Sequence, residues 1–241
     1  MNVIISNCRM QFTAEDIDFI LEALRPKVDS SDCLVKLLAD EETRDQVLDD
    51  DSLFRAVLEH RGCLKVSSHF YFYILVRQVL RKSGIEDRSV SDYVAEVLTE
   101  FSRLERMQCV PKGQAGPLNY FFEMISALQN ADDTTGFYIR THIGNQSLFM
   151  SGIFPERIRY RAERRGAPDL KYYEEIGRMN YRVARDHRLA RKYDLDGIFD
   201  VLSERFHDTR RALNDLGERL ITLHEDRGIN AVLDHSLKFG I

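Results

Sequence analysis

With 241 residues, the chain is long enough to bury a sizeable core as one large domain or two small ones. Hydrophobic residues make up 44% of it, with only five prolines and thirteen glycines, which excludes a disordered chain and a loop-rich β-protein. The net charge of −5 conceals an asymmetry: residues 1–63 carry fourteen acidic and seven basic side chains, and residues 155–192 carry twelve basic and six acidic ones. The longest uncharged apolar stretch, Ile143–Pro155, has thirteen residues, too few for a membrane span of about 20. The N-terminus lacks the basic start and long apolar core of a signal peptide. Cys8, Cys33, Cys63 and Cys109 are scattered, so they suit neither a zinc site nor a disulfide framework and read as reduced thiols. The expected setting is cytoplasmic, with no cofactor, no metal and no membrane.

In chain order, nearly every segment predicts a helix. After a short strand at Val3–Ile5, Thr13 is an N-cap with Asp16 three residues on, and Ile17, Ile20, Leu21 and Leu24 share one face before Pro26. Ser30 and Ser31 open a second helix carrying Leu34, Leu37 and Leu38, and Asp51 opens a third carrying Leu53, Phe54, Val57 and Leu58. The acidic stretch Asp40–Asp51 reads as solvated surface. Residues 67–82 are apolar nearly all round, the mark of a central helix, which Gly84 closes. Ser89 or Ser91 caps a helix with Tyr93, Val94, Val97, Leu98 and Phe101 on its apolar face. Cys109–Pro117 is a loop, followed by apolar helices over Leu118–Leu128 and Gly136–Phe154. Pro155 suits the first turn of the next helix. Asp169 caps a helix to about Lys192. Finally Phe199, Leu202, Phe206, Thr209, Leu213, Leu216, Leu220 and Leu223 step by three and four, a heptad seam opened by Asp196. This last helix and its predecessor predict an antiparallel hairpin. The fold class is therefore all-α, a bundle of roughly eight to ten helices, with an acidic helical region over 1–63 and a main bundle over 64–241, read as one continuous domain.

The uncharged stretch directs attention to chemistry. On a helix, Thr141, Gly144, Asn145, Leu148, Ser151 and Gly152 share a face, and Tyr173, Gly177, Tyr181 and Ala184 form a row on the helix after Asp169. A glycine inside a helix costs about 1 kcal/mol relative to alanine, so these positions imply a packing reason, a crossing with glycines in contact. Buried tyrosine hydroxyls need partners. Arg140, His142, Asn145, Ser151, Tyr173 and Tyr181, with His69 and Arg77 from the central helix, are the candidate ligand-binding groups.

Catalytic motifs are weak. Glu204 and His207 form one Glu-x-x-His pair, whereas a di-iron bundle needs two pairs and two further carboxylates. Arg182-x4-His187 has the spacing of helical ribonucleases of the HEPN type, but Arg55-x4-His60 matches equally well. About two such matches arise by chance in a chain this rich in arginine. The run from Arg157 through Arg161 to Arg164 and Arg165 interleaves arginine with Ile158 and Tyr160, as a phosphate-backbone surface would, although the acidic overall balance argues against nucleic acid.

The stretch Ser68–Leu80 and the pattern Gly144-Asn-x-Ser-Leu-Phe-x-Ser-Gly-x-Phe-Pro155, followed by Tyr172-Tyr173 and Gly177, resemble a bacterial helical family of uncharacterised proteins. The likeness covers about residues 66–223. It implies a bacterial cytosolic protein and no particular activity. The residues themselves favour a non-enzymatic interaction or regulatory module that binds a protein partner or itself through the heptad helix. The alternatives are a small-ligand sensor or enzyme with a polar pocket beside the 137–155 helix, and a nucleic-acid binder using 157–192.

Overall fold

The computed structural model describes residues 3–25, 36–59, 66–103, 109, 118 and 120–223, with 220–223 by backbone alone. Among them the protein is all-α, with one 3₁₀ turn and twelve α-helices and no strand, a count somewhat above the eight to ten expected. The 3₁₀ turn is Cys8–Gln11, followed by α1 (Ala14–Leu24), α2 (Glu41–Leu48), α3 (Asp51–Glu59), α4 (Ser68–Lys82) and α5 (Arg88–Phe101). Then come α6 (Phe121–Leu128), α7 (Asp133–Ile153), α8 (Pro155–Arg165), α9 (Leu170–Arg185), α10 (Arg188–Lys192), α11 (Asp196–Glu204) and α12 (Phe206–Leu223). Val3–Ile5 forms no strand. The expected opening of a helix at Ser30 and Ser31, with Leu34, lies outside the described residues, as does most of the Cys109–Pro117 loop.

Local chemistry sets most boundaries. Thr13 and Asp16 exchange hydrogen bonds in a capping box at the start of α1. Asp87, and neither serine, caps α5 by accepting from the Ser89 and Val90 amides. Asp132 caps α7, and Pro155 supplies the first turn of α8. Two long helices expected from periodicity are each broken. The first stops at Arg185 and restarts at Arg188, because the His187 imidazole accepts from the Leu189 amide and begins a new helix. The second opens at Arg205 (φ −108°, ψ 23°), between α11 and α12. The apolar seam runs through that break unaltered, with Phe199, Leu202, Phe206, Thr209, Leu213 and Leu216 all buried.

Helices α9 and α11 form the expected antiparallel hairpin, laced by Arg178 Nε to the Ser203 carbonyl (3.1 Å), Arg182 to Glu204 (2.8 Å) and Arg185 to Asp200 (2.7 Å). At the centre, α7 packs along α9 and against α12, and α12 leans on α4. Buried side chains from Cys8 to Leu216 join in one hydrophobic cluster. A second, smaller cluster of Cys109, Met124, Ile139, Ile143 and Ile176 seats α6 beside α7 and α9.

Helices α7 and α9 pack closely as expected, but the nearest neighbours of their glycines are side chains and not each other. Each clears room for a side chain. A β-carbon on Gly144 would lie 2.8 Å from the Tyr181 ring, one on Gly177 would lie 2.5 Å from Phe206, and one on Gly152 would lie 2.9 Å from Leu213. Tyr181, Phe206 and Leu213 are fully buried and have nowhere to move. The reason lies in size: a ring fills the gap that two apposed glycines would leave between helices.

The acidic stretch Asp40–Asp51 is more than solvated surface. Asp49 takes both Arg77 Nε (2.8 Å) and Nη2 (3.1 Å), and Arg88 at 2.7 Å, while Arg77 also donates to the Glu86 carbonyl. Burial pushes the Asp49 carboxyl up, but the hydrogen bonds from Arg77 and Arg88 outweigh it and hold the carboxyl below its ordinary value. Arg9 bridges Asp45 (2.8 Å) and Asp92 (3.3 Å), and Asp92 also accepts from the Cys8 and Arg9 amides. Next to it, Glu96 accepts from Gln11 (3.2 Å) and lies 3.6 Å from His69. Burial, with the charges of Glu100 and Asp92 adding to it, pushes the Glu96 carboxyl up to about 7 against the hydrogen bond from Gln11 and the charge of Arg103.

Two measurements follow from this packing. Gly177→Ala should destabilise the protein by about 1–3 kcal/mol in urea unfolding, because overpacking exceeds the gain in helix propensity. Gly136→Ala, in the same class of helical position but with nothing within 4 Å, should be neutral or stabilising by up to about 1 kcal/mol. Glu96 has a raised folded-state pKa, so its contribution is complete below the ordinary carboxylate range and is lost as pH rises through about 7. The urea midpoint should therefore fall as pH rises from the ordinary carboxylate value of 4.5 to about 7 and level off above that, and Glu96→Gln should flatten that fall.

Candidate functional site

The residues singled out in the sequence divide among three places. Asn145 is sealed in the core, where its side-chain oxygen accepts from the Tyr93 hydroxyl (2.8 Å) and the Tyr181 hydroxyl (2.7 Å). Burial raises both phenols far above their usual range, so both remain donors. One acceptor with two lone pairs thus satisfies two hydroxyls. Ser151 donates to the Ser147 carbonyl one turn back (2.6 Å), and Arg140 donates to Asn180 (3.3 Å). His142 packs its ring on Phe101 at 5.4 Å. These groups are satisfied where they stand. His69 and Arg77 are not brought to Asn145 at all; they belong to the charged region between α4, α5 and the N-terminal segment.

The catalytic motifs are taken up in the same way. Glu204 pairs with Arg182, and His207 with Glu174. His187 stacks on Phe137 at 4.8 Å and faces Asp133 at 3.0 Å, whereas Arg182 is exposed on the hairpin.

Tyr173, Arg157 and Arg161 come together somewhere else. They line a cleft of about 160 Å³ between the start of α6 (Tyr120, Phe121, Phe122), α7 (Gln146, Met150), α8 (Arg157, Ile158, Arg161) and the start of α9 (Tyr172, Tyr173). The link Ala167–Pro168 closes one side. Local sequence places each wall. Gly166 adopts φ 61° and ends α8, and Asp169 then caps α9 by accepting from the Tyr172 amide at 2.9 Å. This short reversal sets the tyrosine pair against the arginine face. Phe121 meets Tyr173 edge to face at 5.2 Å, and the Tyr172 and Tyr173 rings cross at 81°.

Two residues that line this cleft each carry a buried side-chain atom with no hydrogen-bond partner: the side-chain oxygen of Gln146 and the Nε of Arg161. Such orphans are uncommon in folded proteins and each costs about 1–3 kcal/mol. Burial, then the charge of Arg161, pulls the Arg157 guanidinium below its usual pKa, with Tyr173 opposing. Burial also raises the Tyr173 phenol. The cleft is an aromatic-walled recess with two neighbouring cations, Arg157 and Arg161, among its lining side chains. Arg164 and Arg165 stand exposed at the end of α8 and do not line it.

A larger hollow of about 460 Å³ is also bordered by Phe122, but its carboxylates have other work: Glu123 accepts from the Tyr120 amide and Asp132 from the Thr135 amide. Its size alone is no argument for a site. Among the described residues no group of histidine, cysteine, aspartate and glutamate is arranged to hold a metal ion, and no helix is long and apolar enough to cross a membrane.

Gln146, Phe121 and Tyr172 escaped the sequence-based list of candidate groups. The available signal was spacing: Gln146 and Met150 are four apart on α7, as Arg157 and Arg161 are on α8. Gln146 is also the longest polar side chain in the uncharged stretch.

The shared acceptor can be tested by unfolding. Asn145→Ala strands two buried hydroxyls and should cost about 3 kcal/mol, whereas Tyr93→Phe removes one donor and should cost about 1 kcal/mol. The reverse order would show that Asn145 is not the common acceptor.

Set against known proteins, the chain matches no family model, no curated protein and no solved structure.

Proposed function

We propose that the protein is a non-enzymatic helical module of the bacterial cytosol that binds a small anionic molecule in the cleft between α6, α7, α8 and α9. The observation that carries this reading is that two residues lining one recess, Gln146 and Arg161, each hold a buried polar atom, Oε1 and Nε, with no hydrogen-bond partner. An anion placed between Arg157 and Arg161 would relieve their mutual repulsion and give Arg161 Nε an acceptor. Binding rather than turnover is the reading, because the raised Tyr173 phenol holds its proton at neutral pH. The buried thiols of Cys8 and Cys109 suit a reducing compartment.

Partner binding through the heptad helix has less support. Its described seam residues are buried against the rest of the fold and offer no free surface. A polyanion on α8 would draw on Arg164 and Arg165 as well as on the two cleft arginines.

Arginine-selective labelling with phenylglyoxal, read by mass spectrometry, separates these readings. Millimolar inorganic phosphate should protect Arg157 and Arg161 and leave Arg164 and Arg165 at their free rate. Equal protection of all four would point to a general basic surface, and protection of none would remove the cleft from consideration.

A further inference from the structure

We infer that the mouth of the cleft is a docking surface for a short acidic segment of a partner protein. That segment sets one aromatic or branched apolar side chain against the start of α6 and its carboxylates against the end of α8. The surface lies outside the recess, so the inference goes beyond the small-anion reading and does not rest on it. Eight large hydrophobic residues are exposed among the described residues, and three of them, Tyr120, Phe122 and Ile125, cluster at the start of α6. Single exposed apolar side chains are ordinary, whereas a cluster marks a contact surface. The Tyr120 and Phe122 rings stack, with centroids 5.6 Å apart and planes at 18°. Phe122 is 68% exposed and lines both the cleft and the larger hollow, so it stands as a ridge between two recesses. An exposed aromatic ridge beside arginines has the composition found at the centre of protein interfaces.

Helix α8 supplies the charge. At 3.6 residues per turn, Tyr160, Arg164, Arg157, Arg161 and Arg165 share about 140° of its circumference, with no acidic residue among them. Glu156 and Glu163 fall outside that arc, and Glu156 is paired with Arg159. Arg157 is engaged within the fold and Arg161 lines the recess; the docking surface needs neither. Arg164 and Arg165 are exposed and form no ion pair among the described residues. Ala167 and Pro168 follow them closely and line the same cleft as Tyr120 and Phe122, so the cations and the aromatic pair flank one opening. Stacked rings beside arginines could also take a nucleic-acid strand. A strand needs a track of cations, and the basic surface does not continue along α9. There Lys171 is paired with Glu175, Arg182 with Glu204 and Arg185 with Asp200, and Arg178 donates to the Ser203 carbonyl. Two free guanidiniums beside an apolar ridge are the complement of a few carboxylates around one apolar anchor.

The chain contains no tryptophan, so a peptide bearing one reports its own binding through fluorescence anisotropy. The probes are the capped peptide Trp-Gly-Asp-Glu-Phe-Glu-Asp, its analogue with alanine for phenylalanine, its analogue with every acid replaced by the amide, and fluorescein-labelled decauridylate. The acidic phenylalanine peptide should bind the full chain, and each analogue should bind about tenfold more weakly. Raising sodium chloride from about 50 to about 500 mM should erase the advantage of the acids over the amides. Phe122→Ala, at an exposed position, should fold normally and weaken binding about tenfold. Arg164→Gln combined with Arg165→Gln should bind the acidic and amide peptides alike. No binding of the acidic peptide, or full binding by Phe122→Ala, would overturn the inference. So would decauridylate binding in its place, or a dimer of the unaltered chain that Phe122→Ala dissolves, since the surface would then belong to nucleic acid or to a second copy. Phosphate protection of Arg157 and Arg161 without peptide binding keeps the small-anion reading and refutes this one; peptide binding without that protection does the reverse.

Discussion

The seating of Tyr181 against Gly144 is the contact on which the rest of the structure depends. The ring lies where a β-carbon would be only 2.8 Å away, so α9 rests directly on the backbone of α7. Once that close approach is fixed, the Tyr181 hydroxyl reaches Asn145 at 2.7 Å, and the same oxygen draws in Tyr93 from α5. A steric fit between two helices thus becomes a polar junction among three. Buried polar networks contribute in this way only when every member is satisfied, and here one oxygen serves both phenols. Gly177 extends the principle by admitting the Phe206 ring at the break between α11 and α12. The C-terminal hairpin is therefore fixed to α7 through Tyr181, and α12 is seated against α9 through Gly177.

A second constraint, of a different kind, ties the N-terminal segment to α4 and α5. There the contacts are charged rather than steric. Asp49, Asp45 and Asp92 each collect guanidinium or amide donors, and Arg77 is almost wholly buried among them. Burying a charge is costly unless its hydrogen bonds are complete, and removing one partner leaves the other stranded. Such a network is weak evidence for net stability, because desolvating its charges offsets much of their mutual attraction. Glu96 is the exception within it. Burial, with the charges of Glu100 and Asp92 adding to it, makes it hold its proton close to neutrality.

Periodicity revealed the helices because burial follows the 3.6-residue repeat, and the uncharged Ile143–Pro155 stretch was legible as interior for the same reason. What periodicity cannot show is a break that preserves the apolar face. Arg205 departs from helical geometry while Leu202 and Phe206 remain on the seam, and His187 restarts a helix with no proline or glycine nearby. The partner of each glycine was also hidden, since the spacing of Gly144 and Gly177 reports that space is needed and not what fills it. Tyr93 was read as part of an apolar face, and its hydroxyl found its acceptor 52 residues away. The acidic Asp40–Asp51 stretch looked solvated because charge alone does not disclose whether arginines from α4 and α5 will reach it. The cleft was legible only in fragments: Tyr173 as a candidate for one reading, Arg157 and Arg161 for another.

What unites those fragments is that α8 holds its arginines in place before any ligand arrives. Like charges four residues apart on a helix cost about 0.2–0.5 kcal/mol, a small penalty. Ile158, almost fully buried on the same helix, contributes about 2 kcal/mol in the opposite sense. Pro155 and the left-handed Gly166 define where α8 starts and stops, so it has little freedom to swing its cations into solvent. The rigid tyrosines of α9 complete the wall, and α9 is itself fixed by the contact of Tyr181 with Gly144. Binding to such a preformed recess avoids most of the ordering cost that a flexible site would carry. The core contact and the cleft are thus two ends of one helix: the fit of Tyr181 determines where Tyr172 and Tyr173 stand, and through them what the arginines can hold.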